Sequence, residues 1–142
     1  MLEYYHSLPD ETSESRQHTL GMMVYNMSGE EISEGEWDFR FYTITAAYES
    51  LEKCIQFRGS VADAALRTSP IIILPPQYAV GEGSLFAYTD LHAIFIHRNV
   101  FRADVLRSEW IHIYLWETGH IFGDLWHTHR LFRKCISGNS FD

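Results

Sequence analysis

The chain has 142 residues, the size of one ordinary domain, and at 46% hydrophobic and 15% aromatic it can bury a substantial core. Its formal net charge is −8, and the whole excess sits in residues 1–38, where nine acids face a single base, Arg16. A balanced remainder and an acidic arm exclude a basic nucleic-acid surface, and no apolar run approaches the roughly 20 residues that span a bilayer.

The opening stretch, MLEYYHSLPDETSES, lacks the basic and apolar regions of a secretory signal, so an intracellular, cytoplasmic protein is expected. Residues 1–38 read as an acidic, partly flexible N-terminal segment, solvating or partner-binding, ahead of an α+β domain at 39–142. One apolar patch, LGMMVYNM at 20–27, interrupts that segment as an added strand or a short helix packed on the body. Residues 42–58 form an amphipathic helix in which Ile44, Ala47, Leu51, Cys54, Ile55 and Arg58 recur at steps of three and four, with Gly59 as its stop. VADAALR at 61–67 adds a short helical turn. The β-branched run in SPIIILPP is a short buried strand with sharp ends.

Beyond a Gly-x-Gly turn, residues 84–88 and 91–97 are two strands, and the intervening Thr-Asp makes a hairpin the expected pairing. From Ala103 to Phe122 the pattern is helical, weakened and ended by Gly119 and Gly123. DLWHTHRLFRKCISG is either a last helix capped by Asp124 or a short strand followed by a helix. The expected fold is α+β, a single domain with a small mixed sheet packed on an N-terminal helix and on a long C-terminal helix of the active-site type.

Six of the eight histidines fall between His92 and His129. On the long helix Glu109, His112, Trp116 and His120 share one stripe, which points to a half-buried polar site. His112 and His120 are eight residues apart, roughly 12 Å along the axis, so they cannot both bind one ion. WETGH at 116–120, followed by IFG, resembles the HExxH signature of zincin metallopeptidases. The order strand, strand, motif-bearing helix over residues 70–130 is similar to that of the ImmA/IrrE-type and small metzincin-like peptidases. The resemblance implies zinc as cofactor, Glu117 as general base on zinc-bound water, and His120 as a ligand, with Asp124, His127 and His129 as the further metal candidates. It also implies a protein or peptide substrate. Trp116 stands where the family has its first histidine, and an indole cannot bind zinc, so a weakened or lost site is expected.

A second frame, SEWIH at 108–112, resembles the aspartate-zincins. It implies Glu109 as base, His112 as ligand and Asp124 as third ligand, with Ser108 at the first-ligand position. A third pattern, HTHRLFRKCISGNSFD, resembles the JAMM metalloproteases through His127, His129 and Ser137, although Ser140 holds that family's aspartate position, Asp142 comes two residues late and Arg130 replaces a proline. Against all three stands a non-catalytic interaction module, in which His112 and His120 are hydrogen-bonded interior histidines and His127 and His129 are exposed. In that module Asp124 caps a helix, and Trp110, Trp116 and Trp126 anchor the core. Cys54 and Cys135 lack zinc-finger spacing, and two reduced, half-buried thiols are expected in preference to a disulfide.

Overall fold

The computed structural model describes residues 14–75, 87–89, 93–119 and 130–136. They form a small α+β domain in which a mixed sheet of order β1-β2-β3-β5-β4 packs on helices. The strands are β1 (Glu14–Gln17), β2 (Met23–Asn26), β3 (Ile71–Leu74), β4 (Ala87–Thr89) and β5 (Ile94–His97). The helices are α1 (Glu34–Ile55), α2 (Val61–Thr68), α3 (Ala103–Glu117) and α4 (Arg130–Cys135). β2, β3 and β5 run parallel, with β1 and β4 antiparallel at the edges. β4 and β5 pair as the expected hairpin, Ala87 opposite Ile96.

The hydrophobic alternation explains the layers. Val24, Ile71, Ile73, Ile94 and Ile96 face the helices and join one core with Ile44, Leu51, Leu66, Leu106 and Trp110. The intervening Ile72, Leu74 and Phe95 lie on the other face, against Tyr25 and Met27. β3 is therefore buried on both sides, which is why it reads as an unbroken run of isoleucine and leucine rather than as an alternation.

The patch at 20–27 resolves as a strand. β2 pairs with β3, and β1 continues the sheet outward. His18 fastens this hairpin to α1. Its Nδ1 accepts from the Leu20 N–H at 3.0 Å, while Nε2 lies 3.1 Å from the Phe41 carbonyl and 2.9 Å from the Thr45 hydroxyl. The ring is 3% exposed, and burial lowers its pKa.

α1 starts eight residues earlier than the sequence pattern predicts. Ser33 caps it, accepting the Glu36 N–H at 3.2 Å, and Glu36 sits at the third helical position, so Ser-x-x-Glu is a helix start inside the acidic stretch. The helix ends at Ile55 rather than at Gly59, because Gln56 takes a left-handed φ of 62° and returns its N–H to the Glu52 carbonyl. Several acids of the N-terminal region pair within the fold. Glu36 receives Arg40 and Arg98, Glu30 receives Arg98 at 3.0 Å, and Glu34 receives Arg16. The hydrogen bonds from Arg98, then those from Arg40, hold the Glu36 carboxyl below its usual range despite partial burial. This network ties the start of α1 to a short 3₁₀ turn, Arg98–Val100, that leads into α3.

The cysteines differ from expectation. α4 packs on α1 and α3, and this brings the Cys54 and Cys135 Cα atoms to 5.9 Å, where they form a disulfide. The two lie 81 residues apart in sequence, so spacing alone carries no trace of the pairing. Among the described residues no helix is long and apolar enough to cross a membrane.

Candidate metal centre on the third helix

α3 is the central helix of the domain, packed against α1, α2, α4 and β4. Its register follows from that position. Leu106, Trp110, Ile111, Ile113 and Leu115 are buried on several sides, and Arg107, Glu109 and His112 are carried inside with them. Trp110 meets the Tyr48 ring edge-on at 5.2 Å, locking α3 onto α1.

The SEWIH frame lies wholly on this helix. Glu109 is 7% exposed and His112 is 5% exposed. One carboxyl oxygen of Glu109 has no hydrogen-bond partner among the described residues. Burial pushes the Glu109 carboxyl up to about 8, which favours its neutral form. The Phe132 ring of α4 covers His112, with centroids 4.9 Å apart. The interior position expected of His112 is thus its position in the fold.

The WETGH frame is placed differently. α3 ends at Glu117. The Thr118 N–H closes on the Tyr114 carbonyl at 3.0 Å, and Gly119 takes a left-handed φ of 72°. Positions 116–119 are therefore not one continuous helix, and α3 stops at Glu117, because glycine at 119 gives a left-handed exit at no steric cost. Glu117 is exposed at this end. Trp116, expected as a core anchor, is 44% exposed; its stripe turns outward as the helix leaves the core. The predicted stripe thus divides, with Glu109 and His112 inside and Trp116 outside. The metal candidates His120, Asp124, His127 and His129 lie outside the described residues, as do Trp126 and the Ser137, Ser140 and Asp142 of the JAMM-like pattern.

Whether these residues suit zinc can be judged from the donors. A zincin centre needs three protein ligands plus a position open to water. On the 108–112 frame the donors are one imidazole under a phenyl ring and one neutral carboxyl, with Ser108 in place of a histidine. Among the described residues no three His, Cys, Asp or Glu side chains group closely enough to hold a metal ion. The described donors of this frame do not by themselves make a zinc ligand set, its third candidate, Asp124, lies outside the described residues, and no hydrolytic step is derived from it.

A second polar array was missed in the sequence. Asp63, near the start of α2, accepts from the Tyr48 hydroxyl and from Arg67 Nε at 2.9 Å on one oxygen, and from the Gly59 N–H at 2.9 Å on the other. The Arg67 guanidinium lies over the Tyr48 ring, 5.5 Å from its centroid. Desolvation, then the Asp63 hydrogen bond, pushes the Tyr48 phenol far above its ordinary range. The available signals were Ser60-x-x-Asp63, a helix-start pattern, and Asp63 with Arg67 one turn apart.

Comparison of the chain with family models, with curated proteins and with solved structures gives no match.

Proposed function

We propose that the chain is a catalytically degenerate, zincin-like domain kept as a folded protein-interaction module. The observation that carries this is the burial of Glu109 and His112 on the helix that follows the β4–β5 hairpin. The order hairpin, connection, central helix supports the likeness in architecture. The burial of Glu109 and His112 on the same helix as Trp110, Ile111 and Ile113 supports loss of chemistry in the 108–112 frame, because a general base must be ionised and in reach of water and substrate, and Trp116 in place of a histidine supports it in the 116–120 frame.

What remains at the surface supports a binding role. Phe39 and Tyr42, one turn apart on α1, are 65% and 71% exposed, with the carboxylates of Glu34 and Asp38 on the same helix. Such an aromatic pair in an acidic setting suits a protein partner with apolar and basic side chains. The Cys54–Cys135 bridge supports residence in an oxidising compartment rather than the cytosol.

The test is hydrolysis of an unfolded protein substrate, with one equivalent of zinc and with chelator, by the wild type and by Glu109→Gln and Glu117→Gln. The proposal expects no turnover in any arm. Zinc-dependent turnover abolished by either substitution overturns it.

A further inference from the structure

Tyr48 and Arg67, held by Asp63 behind them, line an open cleft of about 630 Å³ between the second half of α1, the α1–α2 connection and α2. That volume lies within the range of small-molecule sites. We infer that this cleft binds a small carboxylate, monoanionic or zwitterionic, on the guanidinium of Arg67.

Arg67 is held in place by the fold. Its Nε is committed to Asp63, its plane rests over the Tyr48 ring, and Asp63 is itself fixed by the Tyr48 hydroxyl and the Gly59 N–H. Nε is taken by Asp63 and the guanidinium also meets the Tyr48 hydroxyl, while the 36% of the side chain that stays exposed faces the cleft that Arg67 lines. A fork fixed in advance binds a carboxylate without first losing side-chain freedom. Lys53 and Arg58 stand at the same cleft, and both are exposed. Arg58 reaches Glu52 only at 3.9 Å, and Lys53 forms no ion pair among the described residues.

The lining also sets the ligand's charge. Three cations and two carboxylates, Glu49 and Glu52, line the cleft, with Asp63 behind Arg67 as a third acid, so the cleft is close to neutral in a chain of −8. A polyanion meets repulsion from those acids and from the rest of the chain, whereas a single carboxylate is matched, and Glu49 offers a partner to an ammonium on the same molecule.

Amide and arginine side-chain NMR shifts, followed during titration with acetate, glycine and inorganic phosphate at constant ionic strength, test this on the intact chain. The inference expects saturable shifts confined to residues 48–67 with acetate and glycine, at millimolar affinity. Arg67→Gln abolishes them. Lys53→Gln and Arg58→Gln, at exposed positions that leave the fold intact, each weaken them several-fold. Glycine binding more tightly than acetate, with the difference lost in Glu49→Gln, assigns the ammonium contact. Shifts that never saturate, that persist in both Lys53→Gln and Arg58→Gln unchanged, or that are tenfold stronger with phosphate overturn the inference.

Discussion

Replacing Glu109 by glutamine isolates the cost of the buried acid, because the amide keeps the shape and removes the charge. The carboxyl is raised from 4.5 to about 8. At roughly 1.4 kcal/mol per pH unit, holding it ionised in the fold costs up to about 5 kcal/mol above pH 8. The sign follows from a folded pKa above the unfolded one. The contribution of Glu109 is fully present below pH 4.5 and is lost as pH rises through 8. Chemical denaturation at pH 5, 6.5 and 8 measures it, taken as the difference between wild type and Glu109→Gln so that other titrating groups cancel. The difference should shift by several kcal/mol in favour of the variant between pH 5 and pH 8. Parallel profiles would refute the account, since they require Glu109 to be ionised and compensated in the fold, as a working general base beside a metal would be.

Reducing the Cys54–Cys135 bridge, or replacing both cysteines by serine, frees a loop of 81 residues. Loop-closure entropy puts the loss at about 4.5 kcal/mol, or about 10–15 °C in Tm for a chain of this size. Thermal melts with and without dithiothreitol check it, and a shift below about 3 °C contradicts the tether. The lowered pKa of His18 predicts a second pH effect. Its contribution is fully present above about pH 6.5 and falls as pH drops below that value, because protonating Nδ1 breaks the bond from Leu20. His18→Gln should be less stable than wild type at pH 7.5, with a gap that narrows at pH 5, and a gap independent of pH counts against this. Ser33→Ala should cost about 1 kcal/mol in urea denaturation through the lost cap of α1, and an unchanged midpoint contradicts the capping role.

Elements with their own periodicity were legible in the sequence. The Ile71–Leu74 run, the β4–β5 hairpin, the body of α1 and the start of α3 all follow from local pattern and turn chemistry. What was hidden depends on distant partners. The cap at Ser33 was masked by surrounding acids, several of which pair with Arg16, Arg40 and Arg98 from elsewhere in the fold. The disulfide and the Phe132 cover on His112 both need α4 docked against helices far earlier in the chain. For the candidate site, helical spacing correctly placed Glu109 and His112 on one face. It pointed to a half-buried stripe but not to its division, with Glu109 and His112 inside and Trp116 outside, because burial is set by the helices that pack on α3 rather than by α3 itself. Arg67 was invisible for a related reason: Tyr48, which it covers, lies nineteen residues away on another helix.

Zinc titration of the purified, metal-free chain by isothermal calorimetry at pH 7.5 bears most directly on the claim that this helix no longer serves a metal centre. The account predicts no one-to-one binding tighter than micromolar. A single tight zinc per chain, lost in His120→Ala or in His127→Ala, would contradict it.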